Sequence, residues 1–129
     1  MCFITTTPNK LIATRNIVCY KEMGIINNVD CKSYWFNFPY TFNKLYKQDI
    51  RLSINKYQFD DRWFINQGYH SYHKNIFIIC NKSKLVKCII PNGAIYYKNE
   101  SEYVSDRIII KRKLNMFDIV LYKLKLNIC

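Results

Sequence analysis

The tripeptide Pro91-Asn92-Gly93 limits the folds open to this chain more than any other feature, because turn-forming residues are scarce: three Gly and three Pro serve 129 positions. Before it, Lys84-Leu85-Val86-Lys87-Cys88-Ile89-Ile90 reads as a strand rich in β-branched residues. Asn92 and Gly93 tolerate the positive φ of a tight hairpin, so Ala94-Ile95-Tyr96-Tyr97-Lys98 is expected to return as the partner strand. A polar loop over 99–102 leads to Tyr103-Val104 and then to Arg107-Ile108-Ile109-Ile110-Lys111. The expectation is an antiparallel meander over the last third of the chain.

Upstream, Asn16-Ile17-Val18-Cys19-Tyr20-Lys21 reads as a strand ended by Gly24 and Asn27-Asn28. The aromatic stretch from Ser33 to Phe42, broken by Pro39, fits an irregular or edge segment across the core. Residues 50–55 and Tyr69-His70-Ser71-Tyr72-His73 alternate with period 2, as half-buried strands do. Ile76-Phe77-Ile78-Ile79-Cys80 fits a buried strand or one face of a buried helix. Phe117, Val120, Leu121 and Leu124 have the spacing of a helical face, although a terminal strand also fits. No repeat or linker divides residues 1–129. The expected fold is α+β: a single compact domain dominated by an antiparallel sheet, with a C-terminal meander and one or two short helices.

Six cysteines, at positions 2, 19, 31, 80, 88 and 129, are even in number but lack zinc-type pairing. The opening Met1 to Pro8 has neither a basic start nor the apolar core of a signal peptide. No stretch approaches the ~18 apolar residues of a membrane-spanning helix. The expectation is an intracellular protein, neither secreted nor membrane-spanning, with reduced thiols. Cys19 and Cys88, each inside an apolar run, should be core residues.

Twenty Lys and Arg against nine Asp and Glu give a net charge of +11. Such a surface attracts polyanions, with nucleic acid, nucleotides, an acidic protein or anionic lipid all eligible. Adenine- and thymine-rich codons would also enrich Lys, Ile, Asn and Tyr without any ligand. Lys111-Arg112-Lys113 is the densest basic cluster, and several of the eleven tyrosines lie beside cations, as in Tyr20-Lys21 and Tyr97-Lys98. Aromatic faces with adjacent charge suit base stacking and phosphate neutralisation, although tyrosine also simply suits strands.

His70 and His73 could contribute to a metal site only with a third ligand, and none stands at a telling spacing. His70 with Ser71 is a polar pair suited to touching a ligand. Glu100-Ser101-Glu102 precedes a strand, where two carboxylates can stabilise an oxocarbenium-like centre; a solvated loop is the ordinary alternative. No phosphate-cradling Gly-rich loop and no nucleophile elbow is present.

Met1 to Ile4, Ile17 to Lys21, Gly68 to Tyr72, Val86 to Gly93 with Tyr96-Tyr97, and Tyr103 to Ile110 together resemble a small, poorly characterised family of phage, large-DNA-virus and gut-bacterial proteins. That resemblance implies a compact α+β domain of viral or mobile-element type and no particular activity. A second similarity runs to ADP-ribosyltransferases, and implies roles for Ser71, Glu100 and Glu102; the early Arg or His of that family is absent, with Lys21 in its place. The leading expectation is a non-enzymatic viral accessory protein that needs no cofactor or metal. It would bind an anionic partner, nucleic acid or a nucleotide signal, through His70, Ser71, Tyr97, Lys111, Arg112 and Lys113. Interference with host defence, including contact with a host protein in the host cytoplasm, is one use of such binding. A transferase-like enzyme and a virion component are the alternatives.

Overall fold

The computed structural model describes residues 3–6, 8–33, 38–48, 54–56, 63–65, 67–73 and 85–114. They form β1 (Phe3–Thr5), β2 (Leu11–Ile12), β3 (Ile17–Ile25), β4 (Asp30–Ser33), β5 (Pro39–Thr41), β6 (Leu45–Lys47), β7 (Ile54–Lys56), β8 (Trp63–Ile65), β9 (Tyr69–Tyr72), β10 (Leu85–Ile90), β11 (Ile95–Lys98), β12 (Glu102–Ser105) and β13 (Arg107–Lys113). Every pairing is antiparallel. The expected α+β class is therefore corrected to all-β, since no helix occurs among the described residues. The physical reason is the period of burial: Cys19 and Met23, or Cys88 and Ile90, are buried while intervening residues are less so, the two-residue repeat of a pleated strand. The helical spacing at 117–124 and the ambiguous run at 76–80 lie outside the described residues. No helix among those described is long and apolar enough to cross a membrane.

A ten-stranded sheet runs β2-β11-β12-β9-β3-β10-β13-β6, with β4 and then β5 added beside the far end of β3. A three-stranded sheet, β1-β8-β7, is separate. Pro39 stands in β5, which pairs only with β4 among the described strands, the edge position that a residue without an N–H tolerates.

The meander expectation is corrected in one respect. β11 pairs with β12, but β10 does not pair with β11; it lies between β3 and β13. The chain does turn at Pro91-Asn92-Gly93, where the Ala94 amide donates to the Pro91 carbonyl at 3.1 Å. The segment between β2 and β3 then occupies the hairpin's place. The Asn92 amide donates to Asn16 Oδ1 at 2.9 Å, the Gly93 amide to the Ala13 carbonyl at 2.8 Å, and β2 takes the partner position beside β11.

Only Asp106 separates β12 from β13, yet three strands stand between them in the sheet. Four steps of ~4.8 Å would place flat neighbours ~19 Å apart, whereas two residues span at most ~7 Å. The sheet must therefore roll until its β12 and β13 sections meet at this corner. Asp106 fixes the corner twice: its amide donates to the Ile95 carbonyl at 3.0 Å, and its Oδ1 accepts from the Ile95 amide at 2.9 Å.

The inner face of the roll carries the main core, including Cys19, Met23, Val86, Cys88, Ile90, Tyr103, Ile108 and Ile110. Cys19 and Cys88 are free, fully buried thiols, as their apolar surroundings in the sequence suggest. On the other face of β11 and β12, Tyr97 and Val104 join Phe3 and Ile65 in a second cluster, which seats the three-stranded sheet.

Gly93 adopts φ 90°, while a Cβ there would meet no atom nearer than Arg107 Nη1 at 3.6 Å. Space is available, so the penalty for a side chain is conformational. Gly93→Ala is expected to lower stability by about 1–2 kcal/mol, read from the urea midpoint, and Gly93→Asn by less.

Candidate polyanion-binding face

The pairing registers place side chains from five strands in one line across the outer face of the roll. Glu102 is opposite Tyr72, Tyr72 opposite Tyr20, Tyr20 opposite Lys87, and Lys87 opposite Arg112. Directly paired residues project to the same side of a sheet, so two rings and two cations form a continuous row with a carboxylate at one end. Tyr72, Tyr20 and Lys87 are half-buried and Arg112 is exposed.

A β-bulge completes the basic end. Arg112 pairs with Lys87 but Ile110 pairs with Cys88, which leaves Lys111 as the extra residue. The bulge sets Lys111 and the exposed Arg112 beside Lys87, while Lys113 pairs with the inward-facing Val86 and belongs to the other side of the strand. The next row is apolar: Val18 opposite Ile89, Ile89 opposite Ile109, and Ile109 opposite Leu45. Its end members are 44% and 52% exposed. Beyond it, Arg107 stands opposite Lys47.

Like charges placed directly across a ladder destabilise it by about 0.2–1 kcal/mol. This face holds two such pairs, Lys87 with Arg112 and Arg107 with Lys47. Asp106 lies 4.0 Å from Arg107, and Glu22 stands opposite Leu85, one row beyond Tyr20. The acids thus sit at the rim, and the β10-β13-β6 section is positive.

The residues expected to touch a ligand divide among three places. Lys111 and Arg112 are at the bulge on the outer face, with Lys113 next along β13 but paired with the inward Val86. His70 and Tyr97 flank Val104 in one line beneath the three-stranded sheet, where Tyr97 is 7% exposed. Ser71 is fully buried on the inner face. Tyr20, Tyr72 and Lys87 were not among the expected site residues; the signal for them was the period-2 pattern, but only the register across β9, β3, β10 and β13 aligns them. His73 follows β9, with its amide donating to the Ser101 carbonyl at 2.7 Å and its ring 5.8 Å from that of Tyr103.

Asn99, Glu100 and Ser101 form the turn between β11 and β12, and Glu102 opens β12. Asn99 organises it: Oδ1 accepts from the amides of Ser101 at 2.9 Å and Glu102 at 2.7 Å, while Nδ2 donates to the Ile4 carbonyl at 2.9 Å. A shallow groove of about 520 Å³ borders the loop, lined by Ile4, Thr5, Thr6 and residues 98–101. Burial pushes the Glu102 carboxyl above its usual value. Ser71 is opposite Tyr103, and Glu102 opposite Tyr72. Ser71 and Glu102 therefore project to opposite faces and do not converge, and Glu100 is exposed on the turn.

Inside the roll a polar group surrounds Lys21, which alternation places on the inner face between Cys19 and Met23. Its ammonium donates to the His70 carbonyl. Burial lowers the Lys21 pKa, an effect opposed by the thiols of Cys88, Cys19 and Cys31. Burial alone would raise the Cys19 thiol, but hydrogen bonds with Cys88 and Ser71 and the Lys21 charge bring it below its ordinary value. Burial pushes Cys88 up and holds Cys31 at about 11. The described residues contain no group of three or more His, Cys, Asp and Glu side chains able to hold a metal.

Comparison with protein-family models, with curated proteins and with solved structures gives no match.

Proposed function

We propose that this protein is a non-enzymatic binding module whose outer face takes a phosphate-bearing partner, nucleic acid or a nucleotide. The observation that carries this reading is the Tyr72-Tyr20-Lys87-Arg112 row ending at the bulge that adds Lys111. Rings beside cations supply the two interactions a nucleotide offers, stacking on its base and neutralisation of its phosphate. The like-charged pair within the row is a burden in the free protein that a bound phosphate would relieve. A role as an accessory protein acting on a host defence pathway is one setting for such binding.

Fluorescence anisotropy with labelled oligonucleotides and a nucleotide, across a salt series, tests the proposal. The double change Lys87→Glu with Arg112→Glu is expected to weaken binding at least tenfold at low salt and to flatten the salt dependence. Equal affinity of the double variant, at equal thermal stability, would refute the assignment to this face.

A further inference from the structure

The row of rings and cations accounts for one edge of the face only. Two residues further along the strands lies the apolar row Val18-Ile89-Ile109-Leu45, and beyond it the second like-charged pair, Arg107 with Lys47. The apolar row is thus flanked by cations on both sides. Along β13, Arg107 and Arg112 are five positions apart, ~16 Å at ~3.3 Å per residue, somewhat shortened by the bulge.

A duplex shows such a face only its phosphates and the edges of its bases. Aliphatic side chains and tyrosine rings gain nothing from paired, stacked bases, whereas unstacked bases of a single strand offer their flat faces. The rolled sheet is convex on this side and cannot wrap a rigid cylinder. Among the described residues there is also no helix to enter a groove. A flexible strand can lay bases over the apolar row and tyrosines while its phosphates reach cations on either side. Charge complementarity selects a polyanion, and the apolar row between the cations selects one with exposed rings.

Resting on the reading above, we infer that the ligand is a single-stranded nucleic acid lying between two cationic borders, Lys87 with Arg112 and Arg107 with Lys47, with its bases on Val18, Tyr20, Ile89 and Ile109. Lys47 and Arg107 thereby become binding residues although they are remote from the basic triplet.

The test compares a labelled octathymidylate, a duplex of the same length, and polyglutamate of matched charge, using the full chain. The single strand is expected to bind at least tenfold more tightly than either competitor. Each border cation lost should reduce the salt slope by about 0.7. Lys47→Ala, a change at an exposed position, therefore lowers the slope as well as the affinity. The pair Val18→Ser and Leu45→Ser, both exposed, should weaken binding about fourfold or more while the slope holds. Tight duplex binding or a slope unmoved by Lys47→Ala would overturn this inference and leave the phosphate-binding reading in place, whereas equal competition by polyglutamate would overturn both. Failure of all three probes to bind would remove both.

Discussion

Replacing Phe3 with alanine is expected to lower stability by about 3–5 kcal/mol, the range for truncating a fully buried aromatic side chain. Phe3 is entirely enclosed, and with Ile65, Tyr97 and Val104 it forms the cluster that seats the three-stranded sheet on β11 and β12. Domains of this size are stable by about 5–15 kcal/mol, so the change removes a large fraction of what is available. The hydrogen bond from Asn99 to the Ile4 carbonyl holds β1 a second time, but a single net contribution of about 1 kcal/mol does not compensate for the cavity. Urea unfolding gives the number. Phe3→Leu keeps most of the volume and should lose less than half as much. A loss below about 1 kcal/mol for Phe3→Ala would mean that β1 is not seated as described.

Lys21→Met is expected to make the protein more stable near neutral pH, because burial penalises the ammonium and not the methionine side chain, a gain reduced by the donor that the His70 carbonyl loses. Methionine keeps the length and adaptability needed between Cys19 and Met23. The pH dependence supplies the sign. Burial lowers the folded-state pKa of Lys21 below 10.5, so between the folded value and 10.5 the unfolded chain holds more protons than the folded one. Over that window the contribution of Lys21 to stability rises with pH. Cys31 acts in the opposite sense, since its thiol is raised from 9.0 to about 11 and its contribution is lost as pH climbs through that interval. Because the Lys21 charge also lowers the Cys31 thiol, the difference between wild type and Lys21→Met reports the amine together with its coupling to the thiols. The advantage of the variant should be largest near neutrality and shrink as the pH approaches 10.5. A variant less stable than wild type by the same amount at every pH would show that the amine titrates normally in the fold.

Individual strands were legible in the sequence because their signals are local. β-branched and aromatic runs gave β3 and β10, period-2 alternation gave β9, and the thiols of Cys19 and Cys88 could be assigned to the core from their neighbours alone. Partner choice was not legible. Pro91-Asn92-Gly93 encodes a change of direction, but β11 finds β2 instead of β10 because the Gly93 amide is taken by Ala13, a residue eighty positions away in the chain. Nor does any local pattern announce that β12 and β13 separate at Asp106, since a tight corner and a short loop have similar composition.

The candidate site divides along the same line. Lys111-Arg112-Lys113 was conspicuous as a run of cations, although the bulge that sets Lys111 and Arg112 beside Lys87 is a property of their register with β10. Tyr97 looked as suitable as Tyr20 by its adjacent lysine, and only the second sheet, built from three-residue strands at Phe3–Thr5, Ile54–Lys56 and Trp63–Ile65, explains why it is enclosed. Lys21 was read as a basic residue next to a ring. Alternation with Cys19 and Met23 already placed it inside, a conflict between residue type and pattern that marks a position worth testing.

Backbone amide shifts, followed by NMR as a short oligothymidylate is added, decide whether the β3-β10-β13 face receives the strand. The largest changes are expected at Val18, Tyr20, Tyr72, Lys87, Ile89, Ile109 and Arg112, with Lys47 included and the interior positions Cys19 and Ile110 little altered. Changes confined instead to the groove beside Glu100 and Ser101, with the β3-β10-β13 face unmoved, would contradict that placement.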